Sequence, residues 1–162
     1  MQQILDNSDE TVYFAVLQRP WLFETPFKDQ DYAVLLVVND DSIAPDEQFK
    51  LSHQLVASGC RYAVCFGYEC STWDDSIDYA YLEGDPNFDP RDDRFVMTTW
   101  HEDESIEDVV EFFRLSTSFD DFVPRNFLLL FLGEANDIQN RALKTIRDCS
   151  PDTVPLSTAV QS

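Results

Sequence analysis

The chain has 162 residues, enough for one domain that hides roughly 70% of its unfolded surface, so neither a disulfide frame nor a metal staple is needed to hold it. Against 11 Lys and Arg stand 31 Asp and Glu, a formal net charge of −20. Such a field repels phosphate backbones and anionic membrane surfaces, which excludes nucleic acid and membrane as expected partners and favours a basic protein.

Residues 1–10 are polar and read as a frayed start. Thr11–Leu17 is β-branched and aromatic, a candidate strand. Pro20 and Pro26 then bracket Trp21 and Phe23 in a segment expected to lie irregularly across the core, so residues 1–31 read as an N-terminal cover. From Tyr32 the pattern turns regular. Tyr32–Val38, Tyr62–Phe66, Phe95–Trp100 and Phe127–Leu132 are short, continuous apolar runs, as in parallel strands covered on both faces.

Each run is followed by a helical pattern. The first helix opens at Pro45 with Asp46 and Glu47 in its first turn and stops before Gly59. The second is capped by Ser71 and turns Trp73, Ile77, Ala80 and Tyr81 inward. Ser105 caps the third, with Ile106, Val109, Val110 and Phe113 as its buried stripe. Asn136 and Gln139 form a capping box on the fourth, which Pro151 ends. Strand–helix repeated four times predicts a three-layer α/β/α sandwich, with a mainly parallel sheet of four or five strands in the flavodoxin or Rossmann manner. The α/β domain spans residues 32–149 and a flexible Ser/Thr/Pro-rich tail spans 150–162.

Cys60, Cys65, Cys70 and Cys149 contain no C-x-x-C pair, which suggests reduced thiols and a cytoplasmic protein. The N-terminus is acidic where a secretory leader would be basic.

In open parallel sheets, ligands bind outside the carboxyl ends of the strands. Here those ends read Asn39-Asp40-Asp41-Ser42, Gly67-Tyr68-Glu69-Cys70-Ser71, His101-Glu102-Asp103-Glu104 and Gly133-Glu134-Ala135-Asn136, a rim of carboxylates with no Lys or Arg. The chain has four Gly and no glycine-rich phosphate loop, so a nucleotide enzyme is not expected and no cofactor is assigned. Asp40 and Asp41, at the end of VLLVVNDD, resemble the Mg²⁺-binding acid pair of response-regulator receivers, which makes them the candidate metal ligands. The strand that should then carry the phosphate-accepting Asp ends in Phe66-Gly67. The loop Asp85-x-Asn87-x-Asp89 opens like a calcium loop, but Pro90 stands where Gly is required. Cys70, at a helix start after a strand, is the candidate nucleophile, with His101 as its base and Glu69 or Glu102 to orient the imidazole. The acids Glu69, Asp74 and Asp75 beside it would raise a thiol pKa, which works against that role. Cys70-Ser71-Thr72-Trp73 with Glu83 also resembles, at the level of fold, a segment of TIR domains.

Glu102, Asp103, Glu104 and Glu107 form one acidic ridge, and Asp74 and Asp78 another at helical spacing. With Trp73 and Trp100 beside them, these are the candidate residues for engaging a basic partner, since aromatic anchors within a charged rim suit that task. Cys70-x-x-Trp73, Ser76-Ile77-Asp78 and Thr98-Thr99-Trp100-His101-Glu102-Asp103-Glu104 resemble an uncharacterised family of short bacterial α/β proteins, over about residues 30–135. That resemblance implies a compact domain and carries no activity with it. The functional expectation is a non-catalytic acidic binding protein, an immunity, inhibitor or accessory protein. A small hydrolase using Cys70 and His101 or a carboxylate-bound metal is the alternative.

Overall fold

The structure, a computed structural model, describes residues 1–148; the expected tail, Cys149 and the Pro151 stop lie outside the described residues. Among the described residues, six strands and four α-helices follow in the order β1 (Gln2–Asp6), β2 (Thr11–Leu17), β3 (Tyr32–Val38), α1 (Pro45–Ala57), β4 (Cys60–Gly67), α2 (Cys70–Glu83), β5 (Met97–His101), α3 (Ile106–Leu115), β6 (Asn126–Leu132) and α4 (Asn136–Asp148). One mixed sheet holds all six strands in the order β1-β2-β6-β3-β4-β5. The pairs β2–β6, β6–β3, β3–β4 and β4–β5 are parallel; only β1 runs antiparallel, against β2.

The four apolar runs are therefore parallel neighbours, and the uninterrupted apolar character of β3 and β6 reflects burial on both faces. Successive residues of β3 fall alternately into two cores, as a period of two requires. Val34, Leu36 and Val38 pack with Leu51 and Leu55 of α1 and with Trp73 and Ile77 of α2. Ala33, Leu35 and Val37 pack with Ile106, Val109 and Phe113 of α3 and with Ala142 and Ile146 of α4.

Residues 1–31 depart from the expected cover. Strands β1 and β2 enlarge the sheet to six, because β6 is buried on both sides and needs a second neighbour besides β3. Residues 2–6 look polar because β1 is an edge strand with three of its five residues exposed. Glu10, in the β1–β2 turn, pairs with the buried guanidinium of Arg114 on α3, which ties this end down. Only the stretch after β2 behaves as a cover, burying Trp21 and Phe27 in the first core.

The parallel strands run β2-β6-β3-β4-β5, so the last in sequence lies between the first and second. In the flavodoxin and Rossmann orders the last strand is at an edge. Apolar content does not encode this order, which is why the sequence suggested the commoner arrangement.

Two caps differ from expectation. Ser71 is inside α2; Glu69, with φ of 56°, precedes the helix, and Gly67 with φ of 98° makes the turn. On α4 Asn136 lies inside the helix and the Gln139 N–H donates to the Ala135 carbonyl, so a backbone bond takes the place of the expected Asn136–Gln139 box. Ser105 caps α3 as its sequence predicts, accepting from the Asp108 N–H at 3.1 Å. Among the described residues, no helix is long and apolar enough to cross a membrane.

Candidate functional site at the carboxyl edge of the sheet

Parallel pairing sends the exits of β2, β3, β4, β5 and β6 to one edge. Asp41, Glu69, Glu102, Asp103, Glu104 and Glu134 are exposed there, and Asp40 is half-buried. Tyr68 and Trp100 stand among them, each 53% exposed.

The rim also has a cation that sequence reasoning missed. Arg19 leaves β2 beside the other exits, and Nη1 donates to both Glu47 oxygens, at 2.5 and 2.6 Å. Its Nη2 donates to the carbonyl and hydroxyl of Ser42, each at 3.2 Å. The available signal was the strand pattern of Thr11–Leu17; reading that segment as a cover left its exit out of the rim. The hydrogen bonds from Arg19 hold Glu47 below the usual carboxylate range.

After β2 and β3 the chain crosses over the first core, whereas α4, which follows β6, packs in the second. This divergence is a topological switch, the place where open α/β sheets form crevices. A cleft of about 340 Å³ opens there, lined by Gln18, Arg19, Trp21, Asp40, Gly133 and Glu134. Another, of about 220 Å³, lies between the β3 and β4 exits, with Asp40, Asp41, Tyr68 and Glu69 in its wall.

Asp40, one of the two candidate metal ligands with Asp41, is engaged within its own turn. Asp40 Oδ1 accepts from the Ser42 N–H at 2.8 Å and the Ser42 hydroxyl at 2.5 Å, closing its own turn. Those bonds, with Arg19 nearby, lower its pKa. Among the described residues, no three His, Cys, Asp or Glu side chains converge as a bound ion requires. Asp85 likewise uses one oxygen on the N–H groups of Asn87 and Asp89, a turn internal to that loop.

Cys70 and His101 come close through the wrong atoms. Cys70 Sγ approaches the backbone carbonyl of His101 at 3.8 Å and Glu102 Oε1 at 4.0 Å. The thiol belongs to the first core, whereas the imidazole packs tilted against Phe112 of α3, centroids 4.7 Å apart, over the second, so the sheet separates them. Both imidazole nitrogens are engaged, Nδ1 with Glu104 at 2.7 Å and Nε2 with Thr99 at 3.1 Å. Burial, reinforced by Glu102, raises the Cys70 pKa, the opposite of what a nucleophilic thiol needs. Glu69 accepts from the Thr72 hydroxyl at 3.1 Å and contacts neither group. Adjacent residues of β5 face opposite ways, and which of His101 and Trp100 turns toward α3 could not be read before the fold was known.

The expected partner-binding residues divide into two groups. Trp73 is 2% exposed and Asp74 5%, so both are interior and neither presents itself to a protein. Helical spacing puts Asp74 on the same face as Ile77 and Tyr81; the expectation that a carboxylate stays in solvent is what placed it on the surface. Glu107 faces α4 and is clamped by two oxygens to Arg141 Nε and Nη2, at 2.6 and 2.7 Å, which draws its pKa down to about 2. Glu102, Asp103, Asp78 and Trp100 remain exposed. Glu104 is exposed while holding the imidazole of His101.

A family model for a domain of unknown function, DUF7684, matches residues 11–149. The chain belongs to that family. The match takes in β2 and α4, beyond the span of about 30–135 expected from the sequence, and it agrees with the expectation of an uncharacterised family. No curated protein matches the chain. The DUF7684 assignment brings no activity, so the chemistry of the carboxyl edge carries the functional argument.

Proposed function

We propose that this DUF7684 protein is a non-catalytic acidic binding protein that engages a basic protein partner through the carboxyl edge of its sheet. The observation that carries the reading is the gathering of exposed carboxylates around exposed Tyr68 and Trp100, at an edge where Arg19 is already bound to Glu47. A charged rim around aromatic anchors supplies steering and contact area together. The partner takes its place on the β4 and β5 exits, where Glu102 and Asp103 lie beside Trp100. In this reading the two helix pairs are the outer layers of an α/β/α sandwich and the protein works in a bacterial cytoplasm. Support for the latter comes from Cys60, Cys65 and Cys70, which are free and buried. An immunity or inhibitor protein covering the basic site of a nuclease-like enzyme fits this description, as does an acidic accessory subunit.

The test is capture of the partner from native cells at low salt, followed by association kinetics with the purified pair. Glu102→Lys with Asp103→Lys is expected to slow association about tenfold and flatten its salt dependence, because both lie on the exposed rim. Equal affinity at low and high salt would remove the proposal.

A further inference from the structure

The sheet has two edges, and they are not alike. At β1 the pairing with β2 shifts register between Gln3 and Leu5, a bulge of the kind that blunts an edge against further strands. Strand β5 has no such device. Its register with β4 is regular from Met97 to His101, and the sequence Met-Thr-Thr-Trp-His contains no Pro, Lys, Asp or Glu. Among the described residues, no backbone bond outside the β4 pairing is made by an N–H of residues 97–101. Trp100 stands open on this strand.

Acids frame the open edge. Asp78 of α2 accepts from the Thr98 hydroxyl at 2.8 Å, Asp75 is exposed on the same helix, and Glu102 and Asp103 follow the strand. Within the seam between α2 and β5, Asp74 is 5% exposed and keeps one carboxylate oxygen without a hydrogen-bond partner. Two copies of a chain with formal charge −20 would bring these acids face to face, which disfavours self-pairing across β5. A cationic strand would be drawn to the same place. Building on the acidic-binding reading, we propose that β5 is a docking edge that takes an extended, lysine- or arginine-rich segment of the partner as a seventh strand, packed beside Trp100. Backbone pairing would give affinity, and the flanking carboxylates would choose a basic sequence over a neutral one.

Two synthetic heptapeptides of alternating lysine and valine test this on the full chain. One is unmodified, and the other is N-methylated at every residue, so that charge is kept and neither edge of the peptide has an N–H left to pair. The unmodified peptide is expected to slow amide exchange at residues 97–101. It should also shield Trp100 from acrylamide, an isolated signal since Trp21 and Trp73 are buried. The methylated peptide should bind about tenfold more weakly, for the loss of two or three backbone hydrogen bonds. Equal binding of the two peptides, or no change in exchange at residues 97–101, would overturn the docking edge while leaving the acidic-binding reading standing. Failure of both peptides to bind at low salt would overturn the two together. A dimer paired through β5 in sedimentation and exchange experiments would overturn the choice of occupant.

Discussion

Asp74 is the residue whose chemistry is set most clearly by its surroundings. Burial between α2 and β5 pushes its pKa from 3.8 up to about 6; the Thr98 hydroxyl opposes the shift, and Asp78 and Asp75 add to it. Asp78 is shifted in the same direction, again chiefly by burial. The folded protein thus holds the Asp74 proton more tightly than the unfolded chain does. Stability from this group is present below pH 3.8, declines as pH rises through about 6, and stays lost above that. Asp74→Asn keeps the shape and removes the charge. It is expected to gain on the order of 1–3 kcal/mol over the parent at neutral pH, with the gap closing toward about pH 3.5. Urea denaturation of both proteins across that range measures it; a gap independent of pH would show that the charge is not what the site resists. The same residue marks the limit of reading a sequence alone. Asp74 stands at i, i+3 and i+7 with Ile77 and Tyr81, inside the buried stripe by spacing, but its charge argued for solvent and its burial was not legible from the sequence.

Among the elements, the β4–α2 turn shows how much local sequence can specify. Gly67 was legible as a turn residue after an apolar run, and the structure gives its physical reason. With φ of 98° it sits against β3, and a Cβ there would lie 2.2 Å from the Val38 carbonyl oxygen, a backbone atom that cannot swing aside. Gly67→Ala is expected to destabilise by about 2–4 kcal/mol, by strain at positive φ plus displacement of β3, and to lower the urea midpoint accordingly. Strands β3 to β6 were legible for a similar reason, since burial on both faces leaves a continuous apolar run that few other structures produce. The N-terminal strands were not, because β1 is an edge and its anchor is distant in sequence. Glu10 and Arg114 meet across the fold, and Arg114 also donates to the Ile146 carbonyl at 3.2 Å and stacks over Phe127. Removing one member of a buried pair strands the other. Glu10→Ala is therefore expected to cost about 3 kcal/mol, far more than a residue in a frayed tail would, and thermal unfolding distinguishes the two cases.

At the scale of the molecule, the net charge sets two responses to salt that have opposite signs. Most of the acids are exposed and few have a cation within reach; the ion pairs Arg19–Glu47, Arg91–Asp93 and Arg141–Glu107 relieve only a small part of a formal −20. Self-repulsion at that density disfavours the compact state, and mobile ions screen it. Raising sodium chloride from about 0.05 M to about 0.5 M is expected to increase the melting temperature of the isolated protein by several degrees. Screening weakens attraction to a cationic partner in the same way, so affinity for that partner should fall over the same range. A protein whose carboxyl edge is built for a basic partner should therefore become more stable alone and less able to bind as salt rises. The melting temperature of the complex, measured against that of the free chain, tests both effects at once: the difference between them should narrow with salt. A constant difference would mean that the charge shapes the free molecule without contributing to recognition, and the exposed rim at Glu102 and Asp103 would then be only a solvated surface.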